Sequence, residues 1–198
     1  MTRVRYLIEP RLSRFMVQAF AGGILSGFGH NPAFSPRDFA GEAWFSPDAP
    51  LFPDSLKNSS IRVAIRAAEL ELTNEVSDKD RREIERIMRD EVIETARFPE
   101  IVYAGSATGI TEQSPARFRV QLDGDLSLHG VTRPQRLSAD LTLAPDQLRA
   151  TGKFSLMQTN FGIKLVSAMG GSLRVKDEIR CSFDIAAHRQ HGESKGVP

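Results

Sequence analysis

Four histidines, one cysteine and a block of closely spaced charges are the side chains here with obvious chemical potential. Imidazole and thiol can move protons, attack carbonyls or hold metals. His30 sits in GFGHNPAF, where Gly29 and Pro32 allow a sharp change of chain direction and could present the ring at the mouth of a cavity. With Asn31 beside it, it could hydrogen-bond a polar head group; the plainer reading is a ring bonded to nearby backbone in a turn. His129 falls on the polar side of an alternating segment, immediately before Gly130, which points it away from the apolar side. His188 and His191 have a spacing that can bind metal, but they lie in a polar tail without further ligands. Cys181 shares a face with Ile179 and Phe183, where a thiol behaves as a small hydrophobe of raised pKa. No Gly-x-Ser-x-Gly elbow, His-Glu-x-x-His pair or glycine-rich phosphate loop is present. The expectation is a protein that is not an enzyme and needs neither metal nor cofactor.

Composition agrees with a binding or interaction role. The 198 residues are 40% hydrophobic and 26% charged, with 26 Lys and Arg against 25 Asp and Glu. A chain this long can bury a core without disulfides, and a single Cys forbids an internal one. The near-neutral balance argues against nucleic acid, which selects clustered basic residues. No stretch approaches the roughly 20 apolar residues that cross a bilayer as a helix. The opening MTRVRYLIEPRLSRF holds no long apolar run, so it does not read as a signal peptide and the expected location is the cytoplasm.

The elements that must position these groups are mostly strands. From Arg117 to His129, Phe118, Val120, Leu122, Gly124, Leu126 and Leu128 alternate with polar residues, as one strand or two joined at Gly124. Leu137 to Leu143 and Leu148 to Leu156 repeat the pattern around a Pro145-Asp146 turn, so these three segments look like a meander. Leu173 to Ala187 alternates again, with Asp177 interrupting the apolar face near an end or a bulge. Weaker candidates are Phe15 to Ala19, Phe39 to Phe45, Ile61 to Ala67 and Ile101 to Ala107. One segment has a different period: Ile84, Ile87, Met88 and Val92 mark an amphipathic helix around residues 78–94, started by Ser77 and stopped by Pro99, its charges a solvated face. Residues 46–58 read as a connection and 188–198 as a flexible C-terminal tail. About eight one-sided strands must close into an antiparallel barrel or a two-layer sandwich to hide their edges. The mix of small and large inward residues suits either a tapered core or a cavity.

The string LSLHGVTRP, Leu126 to Pro134, resembles the signature of the YceI-like family. SRFMVQAF, FAGEAWF and FPEIVYAGSA follow that family's order, and Phe161 and Gly162 of QTNFGI match a further motif in which Gln158 and Asn160 replace a charged pair. The resemblance implies an all-β, lipocalin-like antiparallel barrel over residues 1–187. Its apolar interior would hold a long amphiphilic lipid, such as a polyisoprenoid, an isoprenoid quinone or a fatty lipid, and the protein would be a homodimer. On that reading Phe15, Val17, Ile61, Val63, Phe118, Val120, Leu141, Phe154 and Phe183 line the cavity, and His30 and Asn31 meet the head group. The alternatives are a filled barrel that binds a protein partner on its outer face, and an enzyme for a small apolar substrate using His30 or His129.

Overall fold

In the computed structural model, which describes residues 3–22, 31–45, 59–168 and 173–190, the alternating segments become strands with one face turned inward. In chain order they are β1 (Val4–Ile8), β2 (Arg14–Gln18), β3 (Ala21–Gly22), β4 (Ala33–Pro36), β5 (Phe39–Phe45), β6 (Ser60–Arg66) and β7 (Leu70–Leu72). Helix α1 (Asp78–Ile87) follows and runs into a π turn, Met88–Val92. The long strands come next: β8 (Glu100–Ser114), β9 (Arg117–Leu128), β10 (Val131–Ala144) and β11 (Gln147–Met157). The last are β12 (Ser167–Ala168), β13 (Leu173–Val175) and β14 (Glu178–Arg189).

Eight of these strands form a closed antiparallel barrel in the order β1-β5-β6-β8-β9-β10-β11-β14, with β14 returning to β1. Closure gives each of these strands a neighbour on both sides, which reduces the open edge that could template association. The closing strand is one that alternation among the stronger candidates passes over: VRYLI buries Val4, Tyr6 and Ile8 and pairs Tyr6 with Arg189 and Ile8 with Ala187. β9, β10 and β11 form the expected meander, β9 running unbroken through Gly124. β1 and β2 act as one strand interrupted by the Pro10–Leu12 turn, since β2 continues along β14 with Phe15 opposite Phe183. Ser13 fills the interruption: its hydroxyl donates to the Glu9 carbonyl at 2.7 Å and accepts from the Ala186 N–H at 2.9 Å. β4 and β7 then extend the sheet outward from β2.

Two local expectations change. β14 runs on to Arg189, His188 stands opposite Leu7 and Gln147, and its Nδ1 lies 2.6 Å from Glu9 Oε1, so residues 188–189 belong to the barrel rather than to a tail. His191 and the 46–58 connection lie outside the described residues. The helix starts as expected, with the Ser77 hydroxyl accepting the Asp80 N–H at 3.2 Å, but its charges are not all solvated. Arg81 donates to the carbonyls of Leu72 and Asn74, and Glu85 accepts the Leu72 N–H at 3.0 Å while gripping Arg89 at 2.6 Å. These groups satisfy the backbone at the free edge of β7, where unpaired donors and acceptors would otherwise invite another strand. Beneath them Phe34, Leu70, Leu72 and Met88 form a small core of their own.

The barrel wall is not uniform. β10 and β11 are in register from Ala144 opposite Gln147 to Ala139 opposite Gly152, and the pairing ends there, although both strands continue. Pro134, which has no N–H to give to a ladder, sits in the stretch of β10 that pairs with β9 but not with β11. The Gln135 side chain donates to the Arg136 carbonyl at 3.0 Å, and higher up the Gln158–Phe161 turn closes the gap through Arg133, whose Nε donates to the Asn160 carbonyl.

Candidate ligand-binding interior

The inward faces of the barrel strands form two apolar clusters, one above the other along the axis. Along β14 the division is direct: Ile179 and Cys181 belong to the upper cluster, and Phe183, Ile185 and Ala187 to the lower. β11 divides the same way, with Leu156 above and Leu148 below, as do Leu126 and Leu128 of β9 against Leu122. Tyr103 and Phe154 pack against both clusters and mark the boundary.

Of the residues expected to line a cavity, Val63 and Phe183 are buried in the lower cluster, and Phe15, Ile61, Leu141 and Phe154 pack against it. Phe118 and Val120 are buried on β9 in the same lower region, opposite Leu141 and Ala139. Val17 packs on the upper cluster. The upper wall is therefore built mainly from residues that alternation marks as inward but does not single out: Leu126, Leu128, Leu156, Ile179 and Cys181, closed over by Phe161 and Ile163.

Tyr103 is the polar group at the centre. Its ring lies over Gly105 and Gly124, which face each other across β8 and β9, and its hydroxyl donates to the Gln135 carbonyl at 3.3 Å. A Cβ on Gly124 would come within 2.8 Å of Tyr103 Cζ, so the glycine pair provides the slot that the ring occupies. Burial, with Asp123 and Asp125 adding to it, pushes the phenol up to about 12. Nothing in the local sequence marks this arrangement, because the slot requires two strands to be in register. Cys181 is buried as expected, and desolvation pushes its thiol up to about 12, which leaves it protonated and unreactive at neutral pH.

The two described histidines, His129 and His188, are not members of the interior clusters. His30 lies outside the described residues; Asn31 is exposed, and its carbonyl accepts from Asn74 Nδ2 at 3.2 Å. His129 and Gly130 form the two-residue turn between β9 and β10, both with positive φ, 52° and 73°. The His129 side chain, 12% exposed, packs at 4.4 Å between centroids on Phe98, and Nδ1 lies 3.1 Å from the Phe161 carbonyl oxygen. Glu94 Oε2 is 3.8 Å from Nε2. This histidine ties the hairpin tip to the segment after the helix and to the Phe161 turn. Gln158, 6% exposed, holds the other end of that turn by donating to the Lys176 carbonyl at 2.9 Å. Asp177 lies between β13 and β14 and accepts the hydroxyl and N–H of Thr159 at 2.6 and 2.8 Å, which keeps its carboxyl below the usual range. Among the described residues no three His, Cys, Asp or Glu side chains gather as a metal site, and no helix is long and apolar enough to cross a membrane.

Two concavities lie among outward side chains: one of about 610 Å³ around Trp44, Arg3, Glu42 and Arg62, the other of about 370 Å³ beside Ser138, Lys153 and Asp184. Arg3 and Arg5 stand 5.4 and 5.8 Å from the Trp44 ring centroid.

Comparison with known proteins gives one family and one fold. The crystal structure of Burkholderia cenocepacia BcnA is similar at 11% identity with a TM-score of 0.64, over 90% of this chain and 98% of that one. A polyisoprenoid binding domain from Saccharophagus degradans implicated in plant cell wall breakdown is similar at 10% identity and 0.64, over 93% and 98%. A Campylobacter jejuni YCEI protein is similar at 12% identity and 0.53, over 80% and 85%. No curated protein sequence matches. The profile of the YceI-like domain matches residues 29–187, and the chain belongs to that family.

Proposed function

We propose that the barrel binds a long-chain amphiphilic lipid, a polyisoprenoid, isoprenoid quinone or fatty lipid, with the tail in the apolar interior, and that it acts as a binding protein rather than an enzyme. The observation that carries this reading is the inner wall: a closed barrel whose inward face is apolar from Ala187 to Ile179 along β14 and correspondingly along its neighbours. Such a wall recognises by area, at roughly 25 cal/mol per Å² removed from water, and leaves orientation to a few polar groups. The family supports the lipid class through its Saccharophagus degradans relative, a polyisoprenoid binding domain. Two local features support the non-enzymatic part of the reading: burial keeps the Cys181 thiol protonated, and His129 is bonded to the Phe161 turn.

The test is native mass spectrometry of the purified protein, followed by organic extraction and lipid identification. A stoichiometric co-purified lipid, or uptake of an added prenyl alcohol by an empty preparation, is expected. A protein that is reproducibly empty and takes up neither a prenyl alcohol nor a hydrophobic dye overturns the proposal. The second reading, a filled barrel that docks a protein on its outer wall, draws on the concavity around Trp44 and becomes the leading account in that case.

A further inference from the structure

The outer wall carries a hollow whose side chains the interior does not use. Arg3, Glu42, Trp44 and Arg62 surround a concavity of about 610 Å³, within the size range of small-molecule sites. Its floor is low because β6 and β8 present Ser60, Ala104, Gly105 and Ser106 there, with no long side chain. Register sets the walls: Arg5 stands opposite Trp44 across β1 and β5, while Glu42 and Trp44 stand opposite Arg62 and Ser60 across β5 and β6. Trp44 is the single tryptophan of the chain and is half-buried.

The carboxylate in this hollow already has its partners. Glu42 accepts from the Trp44 side chain, and its Oε2 lies 2.7 Å from Arg5 Nε and 2.6 Å from Arg5 Nη2, contacts that hold the carboxyl below the usual carboxylate range and pin the indole. Arg3 lies over the indole, 5.4 Å from its centroid, and its Nη2 donates to the Ser60 hydroxyl oxygen at 2.8 Å. Ser60 therefore keeps its own hydroxyl proton for another acceptor. Among the described residues no carboxylate forms an ion pair with Arg3 or Arg62, so with Arg5 and Glu42 offsetting each other the hollow keeps two positive charges. On the far side of the floor Asp123 is paired with Arg136 at 3.2 Å, and Asp125 continues a row that runs from Arg62 through Ala104.

We infer that this hollow is a site for a dianionic phosphomonoester, its phosphoryl oxygens between Arg3, Arg62 and the Ser60 hydroxyl and its organic part over Ala104 and Gly105 beside the Trp44 ring. A carboxylate is saturated by a single guanidinium fork, whereas a phosphoryl group offers three acceptor oxygens and a second charge, enough for both arginines and a hydroxyl. The small residues of the floor leave the space, and the Glu42 contacts fix the Trp44 wall before any ligand arrives. Asp125 repels the phosphoryl group from the β9 side and so directs it toward β5 and β6. The site is independent of the barrel interior and of the lipid reading.

The experiment is titration of the full-length protein with phenyl phosphate at low ionic strength and about pH 7.5, where the ester is a dianion because its second pKa is about 6. Trp44 fluorescence and broadening of the ligand's phosphorus resonance are the two readouts. Saturation with a dissociation constant on the order of 0.1–1 mM is expected for a hollow this open to water. Phenyl sulfate, of the same shape with one charge, should bind at least about fivefold more weakly; Arg3→Ala and Arg62→Ala should each weaken phenyl phosphate about tenfold, and Asp125→Asn should tighten it about twofold. Lys153→Ala, in the other concavity, should change nothing. Sedimentation with phosphatidylcholine vesicles containing phosphatidic acid separates the two sources of such a group: capture that needs Arg3 and Arg62 puts the phosphate on a lipid head group, and binding of phenyl phosphate without capture puts it on a soluble ester. No saturable response to phenyl phosphate, or an unchanged affinity in folded Arg3→Ala and Arg62→Ala, overturns the site. Equal affinities for the sulfate and the phosphate overturn the dianion. Each of these failures leaves the interior reading untouched.

Discussion

Gly105 and Gly109 lie on the same strand, four positions apart, and the barrel asks opposite things of them. A Cβ on Gly105 would stand 2.7 Å from the Asp123 carbonyl oxygen, 2.8 Å from Gly124 Cα and 3.0 Å from Tyr103 Oη. The first two obstacles are backbone of the paired neighbour, so relief requires pulling β8 from β9 within the Val102–Ala107 stretch of their ladder, ahead of the register shift at Gly109. A Cβ on Gly109 meets only Gln121 Cβ and Cγ at 3.7 Å, ordinary van der Waals contact. Gly105→Ala should therefore destabilise by about 2–3 kcal/mol, the cost of overpacking against atoms that cannot swing away. Gly109→Ala should be neutral or stabilise by about 0.5–1 kcal/mol, because the unfolded chain loses freedom and the folded one loses nothing. In urea, with a slope of about 2 kcal/mol/M, the midpoints should fall by roughly 1 M and rise by a few tenths. A third variant isolates the backbone: Gly105→Ala combined with Tyr103→Leu should remain destabilised, since the Asp123 carbonyl and Gly124 stay in place. Full rescue by Tyr103→Leu, or equal loss in the two glycine variants, would refute the reasoning.

Two further outcomes follow from the same geometry. Glu85 is 14% exposed and holds both the Leu72 N–H and Arg89, so Glu85→Ala should cost about 2–3 kcal/mol by leaving a donor and a cation without their partner, and the Leu72 amide should exchange faster with deuterium; unchanged stability and exchange would return the helix charges to a purely solvated role. For Cys181 the folded thiol titrates near 12 against an ordinary 9.0, so between these values the unfolded chain has released a proton that the native one retains, and stability falls as pH rises through that window. Cys181→Ala should flatten that alkaline decline in urea melts, and the native thiol at pH 8 should resist a disulfide reagent that labels it at once in denaturant.

Most strands were legible in the sequence because a strand with one buried side writes a period of two, which is a local property. The meander from Arg117 to Met157, the helix opened by Ser77, the inward thiol of Cys181 and the YceI-like signature around His129 needed no knowledge of distant partners. Periodicity assigns a face but not a height. Whether Phe154 stands beside Tyr103 or below it depends on the registers that fix neighbouring strands, and those are pairings between residues far apart in the chain. For the same reason only the tertiary structure revealed that Val4–Ile8 closes the barrel against a strand at the other end of the chain, that Gly105 and Gly124 make a slot for a tyrosine, and that Arg81 and Glu85 guard the edge of β7. Local composition decided which residues go inside. The long-range pairings decided which of them share a level, and the division of the interior into a lower and an upper cluster depends on those levels.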